Sequence, residues 1–141
     1  MYKINIDGAF KSDTSQGGWG FIVRNGAGEF LEGGYGNLCR VATSFQVEAL
    51  AALHSLERTT QLGMARIILE TDATELVWGL KSEDLDHSVD GILFRQIKDL
   101  IDSSFDYCEI RHCPRNCNMV ADCLAKYGAN VVSSGSSVFM S

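Results

Sequence analysis

The hydrophobic pattern changes period near residue 44, and that change limits the chain to a fold in which an antiparallel meander feeds a helical crossover. Ahead of the change, residues 2–7 alternate, with Ile4 and Ile6 on one side and Lys3 and Asn5 on the other, as a half-buried strand does. Gly17-Gly18 precedes a second strand over about 19–24. Asn25-Gly26-Ala27-Gly28 reads as a hairpin turn, because Asn and Gly tolerate positive φ. A third strand follows over about 29–38.

Beyond Ser44, Val47, Leu50, Leu53 and Leu56 recur at three-residue spacings, with Ala49 and Ala52 widening the stripe. This predicts an amphipathic helix over 44–61, stopped by Gly63. Residues 66–71 contain Ile67-Ile68-Leu69, a continuous apolar run typical of a strand covered on both faces. Helices are expected over 74–80 and 88–103, the second carrying Ile92, Leu93, Ile97, Leu100 and Ile101. Residues 107–112 read as a fifth strand, and Asn118 as the N-cap of a helix over 119–128. The order is βββαβααβα, an α/β fold, and a right-handed crossover through 44–61 lays strand 66–71 parallel to the first strand. One domain is expected over 1–130, with 131–141, rich in Ser and Gly, as a flexible tail.

At 141 residues, 45% apolar and 21% charged, the chain has the size and composition of a single globular domain. No apolar run approaches the roughly 18–20 residues of a membrane span, so no membrane partner is expected. The segment Met1-Tyr2-Lys3-Ile4-Asn5 turns polar too soon for a signal peptide. Cys39, Cys108, Cys113, Cys117 and Cys123 form an odd set that fits reduced thiols in an intracellular protein, nuclear or cytoplasmic. The spacing of His112, Cys113, Cys117 and Cys123 matches no common zinc finger or knuckle, so ordinary thiols are expected.

Four acids stand out once placed on this scaffold. Asp7 is expected at the end of the first strand and Asp72 at the end of the parallel fourth, where ligands of open α/β sheets gather. Glu48 falls in the first turns of the crossover helix, and Asp122 four residues past Asn118. Taken singly, a strand-end Asp is usually a turn former and an acid in a first helical turn a dipole partner. Together the four describe one pocket. Oxygen-only clusters suit hard cations, Mg2+ above all. Without cations, four carboxylates so close would repel, and some would take up protons.

The motifs around these acids resemble the ribonuclease H family, most closely its reverse-transcriptase-like branch in plants and retroelements. The resemblance rests on Ile4-Asn5-Ile6-Asp7-Gly8-Ala9, Gly17-Gly18-Trp19-Gly20-Phe21-Ile22-Val23-Arg24, Gln46-Val47-Glu48-Ala49-Leu50, Glu70-Thr71-Asp72-Ala73 and Pro114-Arg115-x2-Asn118-x2-Ala121-Asp122-x-Leu124-Ala125. It runs in order over roughly 2–128. It implies a five-stranded mixed sheet of order 3-2-1-4-5 flanked by helices, the first three strands antiparallel. It also implies that Asp7, Glu48, Asp72 and Asp122 are the catalytic metal ligands, holding two Mg2+ ions with Mn2+ as a substitute. The implied reaction is hydrolysis of the RNA strand of an RNA–DNA hybrid, leaving a 3′-hydroxyl and a 5′-phosphate. Double-stranded RNA is a second candidate partner, and a monomer is expected.

The chain also departs from the better-known cellular enzymes. Those carry two polar amides just before the helix, where this chain has Ser44 and Phe45. Ser44 keeps a hydrogen-bonding group for nucleic acid, whereas Phe45 offers stacking or core packing. Where many relatives have a basic, Trp-rich protrusion, this chain has the short acidic run Glu83-Asp84-Leu85-Asp86-His87. His112 lies ten residues before Asp122, which fits either an auxiliary catalytic histidine on a mobile loop or the end of strand five. His54 and His87 read as structural or solvated, and Lys11 and Arg115 as candidate phosphate contacts. The net charge of -6 weakens any approach to phosphates. Two divalent ions would neutralise about four negative charges and leave the loaded protein only mildly acidic. The alternative reading is a nucleic-acid-binding module with little turnover, a domain of a larger retroelement-derived protein.

Overall fold

The computed structural model describes residues 1–131 and 136–140. Its elements run β1 (Tyr2–Lys11), β2 (Gln16–Arg24), β3 (Phe30–Leu38), α1 (Ser44–Gln61), β4 (Arg66–Thr71), α2 (Thr74–Lys81), α3 (Gly91–Ser104), β5 (Tyr107–His112), α4 (Met119–Ala129) and β6 (Ser136–Met140). The sheet order is β5-β4-β1-β2-β3-β6. β1, β2 and β3 pair antiparallel, while β4 lies parallel to both β1 and β5. The expected five-strand order 3-2-1-4-5 is therefore present, with one strand added.

That added strand corrects the expectation of a flexible tail over 131–141. Ser136–Met140 pair antiparallel with β3, from Glu32 opposite Met140 to Gly36 opposite Ser136. An open β3 edge would present unpaired N–H and C=O groups, and β6 covers it. The rest of that tail, 132–135 and 141, lies outside the described residues.

Local chemistry explains most element ends. Asn25 Oδ1 accepts from the N–H groups of Ala27 and Glu29, both at 3.0 Å, and Gly28 takes φ +84, closing the β2–β3 turn. Thr43 Oγ1 accepts from Gln46 N–H at 3.0 Å and caps α1. Gly63, at φ +76, ends α1 as expected, its N–H donating to Thr60 O. α3 begins at Gly91, three residues later than its apolar pattern suggested. Turns precede it instead: Asp86 N–H donates to Glu83 O and Ser88 N–H to Leu85 O. Lys98 Nζ lies 2.6 Å from Asp86 Oδ1 and Arg95 donates to Asp86 O, pinning this acidic connection to α3. Asn118 does stand at the N-cap position of α4, but its side chain makes no capping bond.

The two sheet faces are packed differently. On one face Ile4, Ile6, Trp19, Phe21, Leu53, Leu56, Ile67, Leu69, Phe94 and Ile97 form a buried core beneath α1, α2 and α3. Phe45 joins this core, its ring 5.4 Å from that of Phe94, which decides between the two roles considered for it. His54 stacks on Trp19 with ring centroids 5.3 Å apart, a structural role. On the other face α4 lies directly on the β2 backbone. A Cβ on Gly20 would stand 2.6 Å from Ala125 N and 2.7 Å from Ala121 O. Only a residue without Cβ permits that approach.

Gly20→Ala should therefore push α4 off the sheet and cost about 1–3 kcal/mol, the usual range for overpacking. Gly26→Ala, whose Cβ would meet nothing nearer than Met1 O at 3.8 Å, should stay within about 0.5 kcal/mol of native. Urea unfolding of both variants checks this, and equal losses would contradict the packing argument.

Candidate active site

β1 is a long strand whose pairing with β4 stops at Asn5 opposite Glu70. Asp7 lies just beyond that point, in the middle of β1 and not at its end, where the sequence had suggested. The parting of β1 from β4 opens the sheet rim there. Asp72 follows directly on β4, Glu48 sits in the second turn of α1, and Asp122 in the first turn of α4. All four acids line one cavity of about 300 Å3, together with Gly8, His112, Pro114 and Arg115. Three secondary-structure types thus deliver four carboxylates to one place.

The site is crowded with uncompensated oxygen. Asp7 is only 4% exposed. Gly8 N–H donates to Asp7 Oδ1 at 2.9 Å and to Glu48 Oε1 at 3.3 Å, so two carboxylates share one donor. Glu48 Oε2 is buried with no hydrogen-bond partner. Gly8 itself is required here, since a Cβ would meet Val47 Cγ1 at 2.8 Å and Glu48 N at 3.2 Å. Burial, the Asp72 charge and a hydrogen bond with Asp122 push the Asp7 carboxyl up to about 7, against the opposing pull of Gly8 N–H. Burial and the charge of Asp7 push Glu48 up to about 9. Asp122 goes the other way: burial disfavours its charge, but the Lys126 ammonium, 3.0 Å from Oδ2, outweighs that and lowers its pKa.

This donor set fits a hard divalent cation. It consists of carboxylate oxygens, one of them orphaned, in a place where negative charge is costly. Among the described residues no three His, Cys, Asp or Glu side chains form a ready-made shell around one point. All five cysteines are free thiols.

The other expected residues divide. His112 lines the pocket as the last residue of β5, opposite Thr71, so of its two alignments the strand end is the one observed. Arg115 lines the pocket from the 3-10 turn Arg115–Cys117. Lys11 lies outside it, lining an adjoining groove of about 300 Å3 with Gly8, Arg115, Asp122 and Lys126. Ser44 is exposed at the start of α1 and lines neither cavity. Sequence reasoning passed over Lys126, although its i, i+4 spacing from Asp122 predicts a pair. It also passed over Asn5, whose contacts are all distant in sequence.

The raised acids make stability depend on pH. A carboxyl whose pKa is higher folded than unfolded contributes stability below its unfolded value and loses it as pH climbs through the folded one. With chelator present, the Tm of the native protein should therefore fall between pH 5 and 9, the window spanned by Asp7 and Glu48. Glu48→Gln, which cannot ionise, should flatten that fall, and Mg2+ should restore the native Tm most at the alkaline end. Parallel pH profiles for the two proteins, measured by calorimetry, would refute the assignment.

Residues 5–128 match the family model described as reverse transcriptase-like. A comparison with curated protein sequences finds no significant match. Among solved structures, the fold is similar to RNase H1 from the halophilic archaeon Halobacterium salinarum NRC-1, with 26% identity and a TM-score of 0.83 over 90% of this chain and 96% of that one. It is also similar to the N-terminal RNase H domain of a Mycobacterium tuberculosis protein, at 21% identity and TM-score 0.82, covering 92% and 93% of the two chains. A third similar structure, LC11-RNase H1 from compost, was solved in complex with an RNA/DNA hybrid; it is 17% identical with TM-score 0.83, covering 92% and 97%. With a family match over residues 5–128, the chain belongs to the reverse transcriptase-like family, and its fold is that of ribonuclease H.

Proposed function

We propose that this protein is a divalent-metal-dependent endonuclease that hydrolyses the RNA strand of RNA–DNA hybrids. The observation that carries the reading is the meeting of Asp7, Glu48, Asp72 and Asp122 in one cavity, with Glu48 Oε2 left without a partner. Family membership and the hybrid bound to LC11-RNase H1 support the substrate class. RNA can be told from DNA by its 2′-hydroxyls and shallow minor groove, without reading sequence.

In this reading Asp7, Glu48, Asp72 and Asp122 hold two Mg2+ ions, with Mn2+ as a substitute. Such a pair supplies activation of the attacking water and stabilisation of the leaving oxygen. To hold metal, Asp7 and Glu48 would give up to solvent the protons that their burial retains, and Gly8 N–H would orient both as acceptors. Asp122 would have to leave its pair with Lys126 to hold metal, a modest cost for an ammonium 61% exposed. His112, which lines the pocket from the end of β5, would have an auxiliary catalytic role in this reading. Arg115 and Lys11 take neighbouring phosphates, and the exposed Ser44 remains a polar group for the nucleic acid near the start of α1.

A second reading, a nucleic-acid-binding module with little turnover, draws on one observation: Phe45 is committed to Phe94 and the core, so it is not a stacking platform for substrate. Cleavage assays separate the two. Labelled RNA–DNA hybrid, duplex RNA and single-stranded RNA are incubated with Mg2+ or Mn2+, and with EDTA. The native chain should cut the hybrid only with metal. Asp7→Asn and Asp72→Asn should each lose about 100-fold or more, beyond the usual effect of groups that merely support a metal ligand. Hybrid binding without cleavage at any metal concentration would favour the second reading; cleavage of duplex RNA would broaden the substrate.

A further inference from the structure

Beneath the carboxylates lies a buried polar network that the proposed reaction does not use. Asn118 is 2% exposed and Asn5 is 4% exposed. Asn118 Nδ2 donates to Ile6 O at 2.7 Å, the carbonyl that immediately precedes Asp7. Asn118's own carbonyl accepts from Asp122 N–H at 3.0 Å, within the first turn of α4. One residue is therefore bonded to the peptide before one acid and to the peptide of another. Its side-chain oxygen is occupied too, accepting from Asn5 Nδ2 at 3.2 Å. Asn5 Nδ2 also donates to Glu70 Oε1 at 3.2 Å, and Glu70 Oε2 is flanked by Lys3 at 3.8 Å and Arg111 at 3.7 Å.

We infer that Asn118, oriented by Asn5, is a positioning residue that sets Asp122 against Asp7 and so tunes how tightly the carboxylate site holds a divalent cation. This rests on the metal reading proposed above. The packing of α4 shows why such a residue is needed. α4 meets the sheet through Ala121, Ala125 and Ala129 over Gly18 and Gly20, a smooth small-residue surface. That surface fixes the height of the helix well but resists sliding along its axis poorly. A directional hydrogen bond at the first turn fixes the axial position. The side chain there must donate to Ile6 O and accept from Asn5 at once, which a primary amide does through two separate atoms; an ionised Asp cannot donate, Ala offers neither group, and the single, shorter hydroxyl of Ser does not span both partners.

The test is calorimetric titration of Mn2+ into the native protein, Asn118→Ala, Asn118→Ser, Asn5→Ala, and Arg58→Met as a control. Arg58 pairs with buried Glu32 near the far end of α1, so its loss lowers stability without touching this network. Both Asn118 variants should bind Mn2+ about 10-fold or more weakly, the usual effect of removing a group that supports a ligand. Asn5→Ala should lose less, and the Asn5→Ala/Asn118→Ala pair no more than Asn118→Ala alone, because the first acts through the second. Arg58→Met should lower Tm and keep native affinity. On hybrid substrate, Asn118→Ser should lower kcat with KM unchanged within about twofold. Should Asn118→Ala not fold, Asn118→Ser and Asn5→Ala decide. Native binding with unchanged affinity in the folded Asn118 variants, or an equal loss in Arg58→Met, overturns this inference alone. A native protein that binds no Mn2+ overturns the metal reading and this inference with it.

Discussion

Two carboxylates, on buried Asp7 and half-buried Glu48, share the single N–H of Gly8. Desolvation alone disfavours one buried charge, and a second acid a few ångströms away compounds it, so both groups retain protons well above the ordinary carboxylate range. A fold accepts such a pair only where the surrounding elements leave it no way to relax. Here they do not. Glu48 is carried by a helix whose N-terminus is capped by Thr43 and whose Val47 presses on Gly8, while Asp7 belongs to the central strand of the sheet. Placing the acids on rigid elements keeps the strain local and the geometry reproducible.

The two faces of the sheet answer this constraint by different physics. Under α1 and α3, large side chains such as Phe21, Phe94 and Leu56 interlock, and their shapes fix the helices in all directions. Under α4 there are mostly glycines and alanines, which allow close approach but supply little interlocking. Position along that helix then passes to polar anchors, Asn118 at its start and Asn37 Nδ2 near its end, which donates to Gly128 O at 3.0 Å. The helix that brings Asp122 to the site is held by hydrogen bonds where the other helices are held by volume.

That difference also explains which parts of the molecule could be read from the chain. α1, β4 and β5 begin and end where hydrophobic period and caps put them, because their signals are local: a three-residue apolar stripe with Gly63 behind it, and the Ile67-Ile68-Leu69 run. The four acids were legible as a set through the ordered motifs around them together with the strand order, and they do line one pocket. Other features depend on partners distant in sequence and carry no local mark. Ser136–Met140 pair with the edge of β3, a partner about a hundred residues away that their own sequence does not name. Asn118 looked like a cap, since Asn before an apolar helix usually is one, yet its side chain turns to Ile6 and Asn5. Asp7 seemed to end its strand because apolar alternation lapses there, whereas β1 continues against β2 as far as Lys11.

The distribution of charge bears on how such a site meets an anionic substrate. The chain carries -6 overall, and the acidic connection around Asp86 is held against α3 by Lys98 and Arg95. Basic groups are few, but Lys11, Arg115 and Lys126 gather along the groove that adjoins the carboxylate pocket and shares Gly8, Arg115 and Asp122 with it. At an ionic strength where the Debye length is about 8 Å, a phosphate near the rim senses these close cations far more than the distant acids. Local charge, not the net value, therefore decides whether a backbone can settle there. Lys126 lines the groove and reaches the pocket through its ion pair with Asp122, whose charge it offsets. The pocket and its basic flank thus depend on each other through a single side chain, and on the proposed metal reading a cation that drew Asp122 away would leave the Lys126 ammonium to the groove, so metal loading and the hold on phosphate should rise together.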